Sequence, residues 1–310
     1  MLAHRFIPLV FVVVAAASGC GKSISIAHWV APTVDIGSAH RLVITDSYGR
    51  SESVAAIKSF AVEHSRQSLW FDDVIDLGAR DRLESDGVNA WLRSGTLAAD
   101  ALYVRFDVLE HSAVVSSNES LVDNGTGSTA LVIDEHLVAH TLIALTVADV
   151  GGTLLDEVEI EGIHERSGEI RAFDIDAAME TAARAAVSAA LALITPVPMS
   201  TAVAFDDRDP ATNAIIDAVI DADINADINA DINEAAEARR TAITLLSDLD
   251  STPALYNRAV LTESVGEIAA AVQLYKEANA KSDAADFYSE NLAAARRRLN
   301  DAQRLGLSER

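Results

Sequence analysis

The sequence predicts an α+β protein: a mixed α/β sheet domain over residues 39–206, then an all-helical domain over residues 207–310. Three observations predict it. Leu102, Val104, Phe106 and Val108 alternate with Tyr103, Arg105, Asp107 and Leu109, the period of a strand. An alanine-rich stretch from Ala177 to Ile194, stopped before Pro196, has the composition and the stop signal of a helix. From about residue 207 the spacing is helical only, and Ala-Asp-Ile-Asn recurs at 222–225, 226–229 and 230–233. The order strand, helix, strand, helix, several hairpin strands, helix, strand places helices on a mixed sheet.

Residues 1–19 read as a signal peptide. His4 and Arg5 make a short polar start, Phe6 to Ala17 is apolar apart from Pro8, and Ala17-Ser18-Gly19 is small. Cys20 follows, the single cysteine of the chain. The apolar run is too short for a helix across a roughly 30 Å hydrocarbon core. Small residues before a lone cysteine match a lipobox, so Cys20 is the expected lipidation site. The departure is Ala17, where leucine is commoner, and the alternative is an ordinary secretory peptide. A diacylated N-terminal cysteine carries more than one chain, which makes anchoring stable. Gly21 rather than Asp after the cysteine points to the outer membrane, with the protein facing the periplasm. Without a second cysteine no internal disulfide forms, so packing alone must stabilise the fold. Gly21-Lys22-Ser23 mimics the end of a phosphate-binding loop, but Ala16 stands where that loop needs glycine.

Residues 20–38 read as a tether, with Pro32 and Gly37 as breakers. Arg41 to Thr45 is a short Val/Ile run, a buried strand. Ser51 to Val62 has helical spacing, capped near Ser51 with Glu52 in its first turn. Leu69 to Leu77 reads as a strand, and a helical stretch follows through Leu83 and Trp91-Leu92. After the strand at 102–109, Asn118 to Ser128 is a polar loop. Ala130 to Asp149 then gives two strands turning near Glu135-His136. Asp149-Val150-Gly151-Gly152 is a hairpin turn, with Thr153 to Ile160 as the return strand. The helix at 177–194 is entered through Asp174 or Asp176. Glu180 and Arg184 interrupt it, so it is no membrane span. Met199 to Phe205 closes the sheet domain as its last strand.

In the helical domain Ile216, Ile220, Ile224, Ile228 and Ile232 recur every four residues, a stripe that drifts about 40° per step. Leu255, Ala259, Gly266, Ile268, Ala271, Tyr275 and Ala278 carry the spacing of a tetratricopeptide repeat, two antiparallel helices per unit. Ala259 and Ala271 let the two helices approach, Ala278 admits the next unit, and Gly266 serves the turn. Thr262 departs where an aromatic is usual, and Arg258 where an apolar residue is usual. Leu292 and Ala293 fit a following first helix that ends in Arg296-Arg297-Arg298. Upstream, Glu234 to Leu249 fits the second helix of a degenerate unit. A plain helical bundle is the alternative. The partner-binding residues expected of a repeat are Leu255, Tyr256, Ala259, Gly266, Ala271, Tyr275 and Ala278.

Taken together, the lipobox, the strands at 41–45 and 102–109, the Asp149–Gly152 hairpin, the Ala-rich helix with Pro196 and the repeat around Gly266 resemble a group of bacterial envelope lipoproteins. These join an α/β domain of the kind found in the curli secretion lipoprotein and in penicillin-binding-protein activator lipoproteins to tetratricopeptide-like helices. The resemblance implies envelope assembly or partner activation rather than catalysis.

Composition narrows the choice of function. With 24 basic against 47 acidic residues the formal charge is −23, which argues against a nucleic-acid partner and against electrostatic attraction to anionic lipid. His136 and His140, four apart, share a strand face, yet no third metal ligand stands at a useful spacing. His164-Glu165 is a lone pair, and no Gly-x-Ser-x-Gly elbow is present. Asp223, Asn225, Asp227, Asn229, Asp231 and Glu234 occupy the ligand offsets of a calcium loop, but Ile228 takes the place of its glycine. A duplicated helix is the competing reading. The expectation is a non-enzyme without cofactor: a lipid-anchored scaffold whose helical repeats bind an envelope protein, held to the membrane through Cys20. The alternative is an oligomeric secretion channel, for which residues 130–162 are the only membrane-hairpin candidates and carry polar interruptions.

Overall fold

A computed structural model describes residues 22–45, 47–77, 100–123, 125, 129–169, 173–229, 232–282 and 285–307. The signal peptide with Cys20 and the helical stretch expected through Leu83 and Trp91 lie outside the described residues. The chain divides into two units: residues 31–197, and residues 198–310 together with the segment up to Val30. The mixed sheet followed by helices is the architecture expected.

The first unit is built on a five-stranded sheet ordered β3-β2-β4-β5-β6. Its strands are β2 (Arg41–Ile44), β3 (Asp73–Asp76), β4 (Ala101–Asp123), β5 (Thr129–Ala148) and β6 (Leu154–Glu169). β2 runs parallel to both β3 and β4, so a crossover must join β2 to β3. Helix α1 (Ser51–Gln67) supplies it. Leu42, Val43 and Ile44 are fully buried, the continuous apolar run of a central parallel strand. The cap expected at Ser51 falls one residue earlier, on extended Arg50, which makes no side-chain cap hydrogen bond.

β4, β5 and β6 form an antiparallel meander far longer than the sequence suggests. The polar tract expected as a loop from Asn118 is strand up to Asp123, which pairs with Thr129. Glu135 and His136, expected at a turn, sit mid-strand opposite Ser117 and Ser116. The physical reason is exposure. Beyond Ala113 both faces of β4 meet solvent, so no buried side marks the strand period. Backbone ladder bonds and cross-strand pairs define it instead. At the other end the expected hairpin forms: Gly152 adopts φ 77° and its N–H donates to Asp149 O at 3.0 Å. The outer edge of β4 is paired with β2 only over Ala101–Val104. Val108 N–H then donates to Tyr48 O, and past that point no described residue pairs with it.

Helix α2 (Ile175–Ala192) lies on β5 and β6, its N-terminus capped by Asp174, whose side chain accepts from Ala177 N–H at 2.9 Å. Small residues on its inner face, Ala178, Ala182, Ala183 and Ala186, bring the helix close to the sheet. Gly162 on β6 completes the approach. A Cβ there would stand 2.1 Å from Ala182 O and 2.6 Å from Ala186 N.

The second unit contains a two-stranded ribbon and the C-terminal helices. β1 (Ser23–Val30) pairs with β7 (Val197–Ala204). This corrects two expectations: residues 23–30 are strand rather than tether, and the strand at 199–205 does not close the larger sheet. Ile24 and Ile26 alternate with Ser23 and Ser25 and are buried with Val203 and Phe205 against the helices. That two-residue period was present in the sequence but brief. The helices are α3 (Pro210–Asn229), α4 (Ile232–Ser247), α5 (Thr252–Ser264), α6 (Ile268–Lys281) and α7 (Ala285–Arg304). Each packs on the next, as short connections between antiparallel neighbours require. Ser251 caps α5, and Gly266, with φ 91°, turns the chain from α5 into α6. The isoleucine stripe on α3 drifts as its spacing demands: Ile216 is buried, Ile220 half-buried and Ile224 exposed.

Candidate functional site

The residues expected to bind a partner form the interior of the helical unit. Leu255, Tyr256, Ala259, Ala271, Tyr275 and Ala278 are each at most 9% exposed, and Gly266 occupies a turn. The six buried residues cannot meet a partner directly, whereas Gly266 is exposed. Their role is packing: Tyr256 meets Tyr275 and Tyr288 edge-on, with ring centroids 5.5 and 5.3 Å apart. A repeat signature marks what holds helices together, so it names the framework and not the contact surface.

Two polar networks sit inside that framework. Glu263, fully buried, accepts from Arg298 Nε at 2.5 Å and from Tyr275 Oη at 3.0 Å. Burial disfavours the charge on Arg298, but Glu263 outweighs it and holds the guanidinium more basic than usual. Asp206 accepts from Arg208 Nη2 at 2.6 Å and from Tyr288 Oη at 2.5 Å. Burial pushes the Asp206 carboxyl up, while the bonds from Arg208 and Tyr288 together bring it below the usual range. Asn257 closes the network, accepting from Asp206 N–H and donating to Asp206 O. Burial raises the phenols of Tyr256, Tyr275 and Tyr288, which keeps them neutral donors. Every polar group named here has a partner within the unit, so the networks are structural.

What the helices do offer is an open apolar groove of about 440 Å³ between α3 and α4. Ile215, Ala218 and Ala222 form one wall, and Ala238, Thr241 and Leu245 the other, with Glu234 and Glu237 at the α4 side. Leu245 is half-exposed there. The small side chains leave room for another chain's apolar side chains to enter.

The residues at calcium-loop offsets fall across two helices. Asp223, Asn225, Asp227 and Asn229 lie on α3, and Glu234 on α4, while Asp231 is outside the described residues. On a helix a spacing of two turns a side chain through about 200°, so Asp223 and Asn225 stand on different sides of α3. Asp223 is engaged by Arg239 of α4 through bonds of 3.0–3.1 Å. Among the described residues no three potential ligands cluster around a metal position.

His164, opposite Ala139, lies on the sheet face toward α2, whereas His136 and His140 lie on the face away from it. His136 Nδ1 is 2.8 Å from Ser167 Oγ. His140 stands between strands, Nδ1 3.4 Å from Glu110 of β4 and Nε2 2.6 Å from Glu161 of β6. The Glu161 approach is an ion-pair distance without hydrogen-bond geometry. The two ring nitrogens point to carboxylates on opposite sides, so no single ion is held. Ser112, then His140, holds the Glu110 carboxyl below its usual range. Glu157, Glu159, Glu161 and Glu165 are exposed at alternate positions of β6 on this face.

No protein-family profile matches the sequence, and no curated protein does. Among solved structures, the PelC dodecamer from Paraburkholderia phytofirmans is similar at 13% identity, covering 56% of this chain and 99% of its own, with TM-score 0.30. Rare lipoprotein B from Shewanella oneidensis shares 16% identity over 49% of this chain and 93% of its own, TM-score 0.23. A neuraminyllactose-binding hemagglutinin homolog from Helicobacter pylori shares 13% over 50% of this chain and 82% of its own, TM-score 0.25. At such TM-scores and identities the likeness assigns neither fold nor activity.

The sequence missed the buried networks. Arg298 looked like one of three arginines ending a helix, yet it is 7% exposed and pairs with a residue 35 positions earlier. No local pattern signals such a pair. The groove was equally hidden, since alanines at helical spacing read as packing surface.

Proposed function

We propose that this chain is a non-catalytic, lipid-anchored protein of the bacterial envelope that binds another envelope protein as a scaffold or assembly factor. The observation that carries the reading is Cys20: a lone cysteine directly behind a short apolar run and three small residues. Acyl chains on that sulfur hold a strongly acidic body at a membrane surface that electrostatics alone would not favour. The outer membrane, with the body in the periplasm, follows from Gly21. The helical unit is the binding part, as a tetratricopeptide-like array, and the α3–α4 groove is its contact surface. Val219 and Ala242 of the groove share one core with Tyr256 and Tyr275.

The test is a pull-down from detergent-solubilised envelope with the full lipidated chain. An envelope protein retained in fixed ratio by the wild type, and lost when Ala218→Glu and Leu245→Glu fill the groove with charge, is the expected result. Equal recovery by the variant ends the assignment of the groove. Mature protein recovered unlipidated from the cytosol ends the reading as a whole.

One observation favours the secretion-channel alternative. The β4–β5 hairpin exposes Leu121, Val122 and Leu131 near its tip. Against it, Ser116 to Ser120 and Asp134 to His136 interrupt any apolar band along the same strands. Conductance across a planar bilayer would favour the channel; its absence favours the scaffold.

A further inference from the structure

The sheet of the first unit has two unlike edges. Along β6, Glu157, Glu159, Glu161 and Glu165 alternate on the exposed face, the charged side chains that keep an edge strand from pairing. Along β4 no lysine, arginine or proline occurs between Arg105 and Asp123, and past Val108 the outer edge has no partner among the described residues. Exposed apolar side chains stand at both ends of the free stretch, around a polar centre: Val114 is 63% exposed, Val115 44%, Leu121 71% and Val122 48%. A long edge of this composition is a template for another strand.

The residues of that edge name the strand. Val114-Val115-Ser116-Ser117-Asn118-Glu119-Ser120-Leu121-Val122 is nearly the same pattern read in either direction. In an antiparallel pair centred on Asn118, Val114 faces Val122, Val115 faces Leu121, and Ser116 faces Ser120. Glu119 faces Ser117, so no carboxylate opposes another. Each face of the joined sheet then carries two apolar pairs flanking a polar centre, the cross-strand matching that stabilises a ladder. A foreign strand has no need of this symmetry, whereas a two-fold contact opposes each residue to its mirror position, where the symmetry sets like against like.

We infer that β4 pairs with β4 of a second copy of this chain, antiparallel across a two-fold axis at Asn118. The two sheets join into one, ordered β6-β5-β4-β4-β5-β6. This contact is independent of the lipid on Cys20 and of the α3–α4 groove, so it stands or fails apart from the proposed function.

The experiment is cysteine cross-linking of the purified full chain in solution. Asn118→Cys sets two sulfurs on the axis, with Cα atoms roughly 4.5–5.5 Å apart, inside disulfide range. Ser112→Cys sets them twelve residues out of register, about 40 Å apart. The wild-type chain, whose sole cysteine is Cys20, gives the background. A covalent dimer should form on mild oxidation with Asn118→Cys and not with Ser112→Cys. Adding Leu121→Lys to Asn118→Cys should lower the dimer yield about tenfold. That side chain is exposed in the single chain, so its melting temperature should stay within about 2 °C. Absence of dimer with Asn118→Cys, equal yields at both positions, or insensitivity to Leu121→Lys would each overturn the inference.

Discussion

Glu263 shows how much of this protein depends on single buried charges. Its side chain is wholly out of solvent and depends on Arg298 and Tyr275 for every compensating bond. Taking one partner away leaves the other charged and unpaired, so Glu263→Ala should cost about 3–5 kcal/mol in urea unfolding. Replacing both, Glu263→Leu with Arg298→Met, should recover most of that loss, because well-packed apolar residues serve as well in the same place. Asp206 gives a pH dependence. Its folded pKa lies below the unfolded value, so its contribution is complete above that value and is lost as pH falls through the folded one. The stability gap between wild type and Asp206→Asn should therefore be full at neutral pH and shrink below about pH 4. A gap that instead widens in acid contradicts the assignment. Neither network was legible in the sequence. Asp206 and Tyr288 stand 82 positions apart, and no periodicity links them. What was legible, Tyr256, Tyr275 and the alanines around Gly266, was legible because helix-on-helix packing repeats at fixed spacing.

Helix α2 and strand β6 meet where a glycine allows them to. At Gly162 even one methyl group would overlap the helix backbone, which cannot give way as a side chain can. Gly162→Ala should destabilise the first unit by about 3 kcal/mol, the upper end of ordinary overpacking. A thermal melt within experimental error of wild type contradicts that packing. On α3 the drifting stripe separates isoleucines of like sequence context. Ile216→Ala should cost about 2–5 kcal/mol and Ile224→Ala within about 0.5 kcal/mol of nothing. Where an element is buried, on both faces as in β2 and the start of β4 or on one as in α2, the sequence announces it. Where both faces are wet, as in β4 from Val114 onward, polar residues stand on both sides and the strand reads as a loop. The tether expected at 20–38 failed for a related reason: the Ser-Ile alternation of β1 spans too few residues to outweigh the breakers that follow it.

The chain does not divide at one point. Its N-terminal strand β1 belongs with the C-terminal helices, while the five-stranded sheet is built from the sequence between. The consequence concerns the anchor. Cys20 stands three residues before Ser23, the first residue of β1, so under the proposed lipidation the anchor would attach next to the unit that carries the groove. Metabolic labelling with a radioactive or clickable palmitate, followed by envelope fractionation of wild type and Cys20→Ser, tests this most directly. The account predicts label on a wild-type chain that sediments with membrane, and an unlabelled variant. It also predicts that the variant no longer stays with the membrane as a lipidated chain. An unlabelled wild type, or a Cys20→Ser chain still membrane-bound to the same extent, would contradict it.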